Sequence, residues 1–208
     1  DTDYSQYKGS DFVPGKTVLF FEDFQNAQLG SGNGNWGFYE YDPHEDVERP
    51  YVGTLSGTHS KWLKMPRKGF VYPNSFKKLP ENFTLEFDLY ADPKRMSEME
   101  GGLSAVFVAR DDRENYSIHW NEAPAISLDV HPHGTTEKVN FHVSKEYDPD
   151  TNDRILFENT YSNGWNPGEV NRVAISRNGS HVKIYVNGKN FVDMQNALPK
   201  KTTYNFIM

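Results

Sequence analysis

The chain contains no cysteine, which excludes disulfides, thiolate nucleophiles and cysteine-ligated zinc. It has no apolar run near the roughly 20 residues that a helix needs to cross a bilayer. Positive charge is scarce: 22 Lys and Arg against 29 Asp and Glu leave a formal net charge of −7. Nucleic acid and anionic membrane surfaces therefore have no basic footprint to meet. No segment repeats, and nowhere do apolar residues keep the helical period over several turns.

What is present favours strands. Aromatics make up 14% of 208 residues, and short runs rich in Val, Ile, Thr and aromatics alternate with clusters of Gly, Pro, Asn and Asp. Residues 1–16 are polar and read as an arm or linker, and residues 17–208 as one β-sandwich domain. Thr17–Phe21 (TVLFF) is expected as the first strand. From residue 83 the period of two is clear: Phe83, Leu85, Phe87 and Leu89 point one way, Thr84, Glu86, Asp88 and Tyr90 the other. Near the C-terminus, Asn178-Gly179-Ser180 and Asn187-Gly188 separate three short alternating runs, the signature of a meander with tight turns.

Two of these segments carry a resemblance. The stretch from Trp165 to Lys189, with Arg172-Val-Ala-Ile-Ser-Arg177 and Val182-Lys-Ile-Tyr-Val-Asn-Gly188, resembles the late strands of laminin-G-like and concanavalin A-like domains. Phe83-Thr-Leu-Glu-Phe-Asp88 resembles a central strand of the same domains. The resemblance implies an all-β, antiparallel jelly-roll β-sandwich of the concanavalin A-like lectin and glucanase type. Asp11-Phe-Val-Pro-Gly-Lys-Thr-Val-Leu-Phe-Phe-Glu-Asp-Phe24 is similar to the start of the sandwich module placed before OmpA-type domains in Gram-negative envelope proteins. That likeness implies export to the periplasm, outer membrane or cell surface. A chain opening on Asp1 and stopping inside the apolar run Tyr204–Met208 is expected to be cut from a longer product, with a last strand beyond residue 208.

Glycoside hydrolases of this fold carry E-x-D-x-E or E-x-D-x-x-E on a central strand, and retaining chemistry needs two carboxyl groups about 5 Å apart. Glu86 and Asp88 match the first two positions, but the third is Tyr90 or Ala91, and Asp92 comes one residue late, before Pro93. The expectation is therefore a chain that is not an enzyme, with Glu86, Asp88 and Tyr90 as polar ligand-binding positions.

Other candidates compete with ordinary structural roles. Asp148, Asp150 and Asn152 alternate like the first half of a calcium loop, but Asp153 replaces the glycine of the sharp turn and Asn159 the final glutamate, so an acidic hairpin connection explains them equally well. The resemblance to sandwiches of this type, in which a carboxylate just after the first strand pairs with one on the last strand to hold calcium, implies Asp23 as a second position for structural calcium, the cofactor expectation here. Asp129, His131 and His133 have zinc-like spacing, but Pro132 interrupts them. For stacking on a sugar, Trp120 with Asn121 and Glu122 is the leading aromatic; Trp36, Tyr39, Tyr41 and Trp165 serve equally well as core. The expectation is a non-catalytic binding or spacer module whose partner is a glycan or an envelope protein. The alternative is a glycoside hydrolase of the concanavalin A-like fold acting on a polysaccharide.

Overall fold

The computed structural model describes residues 9–32, 34–40, 48–65, 69–75, 78–90, 92, 103–108, 125–131, 138–148, 153–162, 166, 168–197 and 206–207. Among these, all regular structure is β. The strands are β1 (Trp36–Glu40), β2 (Tyr51–Thr54), β3 (Lys61–Lys64), β4 (Gly69–Pro73), β5 (Asn82–Tyr90), β6 (Leu103–Val108), β7 (Ala125–His131), β8 (Lys138–Asp148), β9 (Asp153–Ser162), β10 (Val170–Asn178), β11 (His181–Val186), β12 (Lys189–Met194) and β13 (Phe206–Ile207). They form a four-stranded sheet in the order β12-β11-β10-β5, a five-stranded sheet in the order β13-β6-β7-β8-β9, and the pairs β1-β4 and β2-β3. Every pairing is antiparallel.

The C-terminal meander folds as its turn residues require. Gly179 adopts φ 59° between β10 and β11, while Asn187 (φ 50°) and Gly188 (φ 76°) make the turn into β12. Two positive φ angles in a two-residue loop match the right-handed twist of the flanking strands. Alternation then sends Val173, Ile175, Val182, Ile184, Val186 and Val192 to one face, each no more than 3% exposed. Across the register, Phe87 and Leu85 of β5 continue that face opposite Val173 and Ile175.

Asn171 is wholly buried on the same face, yet its amide is satisfied. Its Oδ1 accepts from Asn166 N (2.8 Å) and Asn187 Nδ2 (2.7 Å), and its Nδ2 donates to the carbonyls of Asn166 and Glu169, both at 2.9 Å. A buried amide with all its partners ties the entry to β10 to the β11–β12 turn at no desolvation penalty.

Two features depart from the pattern read in the sequence. Thr17–Phe21 is not a strand: it bends at Thr17 and Leu19 and leaves Val18, Leu19 and Phe21 70%, 55% and 75% exposed. β-forming residues need a neighbouring ladder, and none is hydrogen-bonded to this run among the described residues. Only Phe20 turns inward, its ring 5.4 Å from and nearly perpendicular to that of Trp36. The second feature is a strap formed by residues 11–15. Asp11 pairs with Lys183 at 2.7 Å, Phe12 sets its ring edge-on to Tyr185 at 5.2 Å, and Gly15 N donates to Thr84 Oγ1 at 3.0 Å. Phe12 is 5% exposed, and it seals Ala174 and Tyr185 on the outer face of the four-stranded sheet.

Candidate functional site

Glu86, Asp88 and Tyr90 occupy alternate positions of β5, opposite Ala174, Arg172 and Val170 of β10. This places them on the outer face of the four-stranded sheet, where Arg172 claims the carboxylates. Its Nε and Nη2 form a fork on Asp88, the second arm at 3.0 Å, and its Nη1 lies 3.7 Å from Glu86 Oε2. With both Asp88 oxygens receiving the guanidinium, the geometry is that of a cross-strand clamp. Among the described residues β5 also ends this sheet rather than lying at its centre. Arg172 was not singled out in the sequence, since an arginine on a strand gives no signal of which carboxylate it will face.

A second polar group sits further along the same face. Lys183 joins Asp11 (2.7 Å) to Asp193 (3.2 Å), and His181 Nε2 meets Asp193 Oδ1 at 2.6 Å. The hydrogen bond from Lys183 holds the Asp11 carboxyl below its usual range, and the one from His181, followed by that from Lys183, does the same for Asp193. Hydrogen bonding to Asp11 in turn pushes the Lys183 ammonium up, and burial raises the Tyr185 hydroxyl. Beside this chain of charges lies an open cleft of about 170 Å³, bordered by Phe12, Val13, Ser176, Asn178 and His181.

The remaining candidates separate. Asp23 accepts from Gln25 N (3.0 Å) and Glu22 from Phe24 N (2.9 Å), so both carboxylates cap the turn that follows them. Asp148 ends β8 opposite Asp153 of β9, as a hairpin connection would have it. Asp150, Asn152, Trp120, His133, Tyr41 and Trp165 lie outside the described residues. Trp36 is packed by Phe20 and by Phe24, whose ring is 6.2 Å away. Among the described residues no group of His, Asp or Glu is placed to hold a metal ion, and no helix is long and apolar enough to cross a membrane.

The five-stranded sheet offers a different arrangement. Its central strand is β7, where Ser127, Asp129 and His131 take alternate positions. The register sets Ser127 opposite His142 and His142 opposite Glu158, then Asp129 opposite Asn140 and Asn140 opposite Thr160. Directly opposed residues share a face. One face therefore holds Ser127, Asp129, Asn140, His142, Glu158 and Thr160, and the other the apolar positions of Ile126, Leu128, Phe141, Val143 and Phe157. Among the described residues β5 is not a central strand; the centre of the five-stranded sheet is β7, where Asp129 is flanked two residues away on either side by Ser127 and His131 in place of the glutamates of E-x-D-x-E.

No protein-family model matches the chain, and no curated protein matches it. Solved structures do. A glycoside hydrolase family 16 endo-glucanase from Bacteroides ovatus aligns with a TM-score of 0.60 at 14% identity, covering 91% of this chain and 84% of its own. A variant of LamA from Zobellia galactanivorans, in complex with laminaritriose and laminaritetraose, aligns at 0.57 and 13% identity over 92% and 87%. The β-glucanase of Bacillus licheniformis aligns at 0.52 and 14% identity over 90% and 85%. These findings correct the expectation of a chain that is not an enzyme. The architecture it adopts is, in these structures, that of an endo-glucanase, of LamA and of a β-glucanase, and Glu86 and Asp88 lie on β5, which ends its sheet among the described residues. The comparisons lend nothing to the likeness with OmpA-linked envelope modules. What they establish is the fold: the chain is an all-β jelly-roll sandwich of the concanavalin A-like type.

Proposed function

We propose that this sandwich is a glycoside hydrolase acting on a β-linked glucan. The observation that carries the reading is the alignment over nine-tenths of the chain with endo-glucanases solved with glucan fragments. The register of β7, β8 and β9 supports it, because hydroxyl-rich ligands need amide-, hydroxyl- and imidazole-bearing residues at neighbouring positions. Asn140, His142, Thr160 and Ser127 hold such positions in adjacent register.

Glycosidic hydrolysis takes two carboxyl groups, one protonating the leaving oxygen and the other attacking the sugar or activating water. In the regular register of β7–β9 the acidic positions of this face are Asp129 and Glu158; they stand two strands and two register steps apart, too far for one carboxyl pair, so Asp129, on the central strand, is our candidate for one of the two roles. Glu86 and Asp88, already engaged with Arg172, are assigned to the sheet's stability. Polysaccharides of this kind are met outside the cytoplasm, and an exported location belongs to the same proposal.

The deciding experiment is incubation of the chain with mixed-linkage glucan and with laminarin, with released oligosaccharides resolved by chromatography. Release of short oligosaccharides is expected. A chain that retards in a glucan-containing native gel, yet releases none after prolonged incubation, would overturn the hydrolase reading.

A further inference from the structure

On the outer face of the four-stranded sheet, the β10–β11 register opposes Ser176 to Lys183 and Asn178 to His181. Alternation puts these four on one face, and all four line the open cleft of about 170 Å³ beside the strap. They form a square about 5 Å across the strands and about 7 Å along them, the footprint of a single sugar ring. A hydroxyl, an amide, an imidazole and an ammonium thus meet on one tight hairpin. Phe12 and Val13 of the strap supply an apolar rim, Val13 being 75% exposed.

These groups are fixed by their own neighbours. Lys183 is held between Asp11 at 2.7 Å and Asp193 at 3.2 Å. The His181 ring is set by Asp193, 2.6 Å from Nε2, and by Gln195, whose Nε2 lies 3.3 Å from the same ring nitrogen. Val13 follows Phe12, packed on Tyr185, and precedes Gly15, bonded to Thr84. Groups positioned in advance lower the ordering cost of binding. The charges also select the ligand. Asp11 and Asp193 compensate Lys183 and His181, which leaves no positive surplus to recruit an anion. The Ser176 hydroxyl and the Asn178 amide both donate and accept hydrogen bonds, which is what a sugar hydroxyl requires.

We propose that this cleft is a second glycan-binding site, taking one or two neutral sugar units of a glucan chain and performing no chemistry on them. It lies on a different sheet from the polar positions of β7–β9. The choice of a glucan as ligand rests on the proposed function; the geometry of the cleft does not. A volume of about 170 Å³ is below the roughly 300 Å³ at which pockets for whole small molecules begin. The contact is therefore weak by itself, with a dissociation constant of about 1 mM. On a polymer, a weak second contact raises the local concentration of chain for the first.

The test is titration of laminaribiose into the isotope-labelled chain, followed through its amide NMR signals. Saturable shifts at residues 176–183 are expected, with a dissociation constant of about 1 mM. Asn178→Ala and Ser176→Ala, both at positions open to solvent, are each expected to weaken binding roughly fivefold, the scale of one hydrogen bond. Near-ultraviolet circular dichroism confirms that the variants are folded, and either one serves if the other is not. Absence of shifts at residues 176–183 overturns the proposal. So do shifts indifferent to both substitutions, or the same shifts evoked by inorganic phosphate, which would mark an anion site. Oligosaccharide release is read separately. Shifts without release uphold this site and overturn the hydrolase reading; release without shifts does the reverse.

Discussion

Arg172 and Asp88 face each other across the β10–β5 ladder and are joined by two guanidinium hydrogen bonds, although 84 residues separate them in the chain. Arg172 also approaches Glu86, so one cation compensates the two carboxylates on the outer face of β5. The pair is partly open to solvent, with side-chain exposures of 28% and 39%, and solvent discounts its strength. Arg172→Met is expected to lower unfolding stability by about 1 kcal/mol. Equilibrium urea unfolding measures it, and a loss below a few tenths would show that the clamp is ornamental.

The same geometry separates the two carboxylate sets by function. Asp129→Asn is expected to reduce glucan hydrolysis by roughly 100-fold or more, the scale of a lost acid or base. Glu86→Gln, in contrast, is expected to leave the rate within about threefold, because its carboxylate serves the sheet. Reducing-end assays on the purified variants decide the matter, and abolition by Glu86→Gln would return the site to the four-stranded sheet.

Asn171 is the most exacting polar side chain of the described core. Asn171→Ala strands the Asn166 amide and frees the β11–β12 turn from β10, at a cost of about 3 kcal/mol. Asn171→Asp is expected to be no better, since a carboxylate cannot donate to the carbonyls of Asn166 and Glu169. Thermal melts of both variants test this.

The strap should respond to acid. Asp11 and Asp193 have carboxyls lowered by Lys183 and His181, so the stability they contribute is present above their ordinary value of 3.8 and is lost as pH falls through the lowered values. Proton uptake is then complete in both states and the pairing energy is gone. Below about pH 4 the strap is expected to loosen, with the Phe12 ring resonances shifting towards solvent values in NMR spectra. In Asp11→Asn that acid transition should shrink. A transition of unchanged size would place its origin elsewhere.

How much of this was legible in the sequence depended on how local each cause is. The Asn187-Gly188 turn acts over a few residues and is found as read; Phe83–Tyr90 lies in a strand as read, although its burial does not alternate, only Asn82 and Asp88 of β5 being exposed. Thr17–Phe21 has the residues of a strand but joins no ladder among the described residues, and a neighbour is a property of the fold. The clamp on Asp88 and the strap on Lys183 join residues 84 and 172 positions apart, beyond any spacing rule. Glu86 and Asp88 on β5 match the first two positions of the hydrolase spacing, whereas centrality in a sheet, which singles out β7 in the five-stranded sheet, appears only once pairing is known.

The connectivity of the four-stranded sheet also orders its assembly in time. β10, β11 and β12 are joined by two-residue turns, so their contacts close short loops and can form within microseconds. β5 must cross a long stretch of chain to reach β10, and the loop-closure entropy of that step precedes any reward from Asp88 or Phe87. Folding kinetics should therefore place the meander in the transition state and β5 after it. Substitutions at Ile184 are expected to slow folding, and those at Asp88 to hasten unfolding.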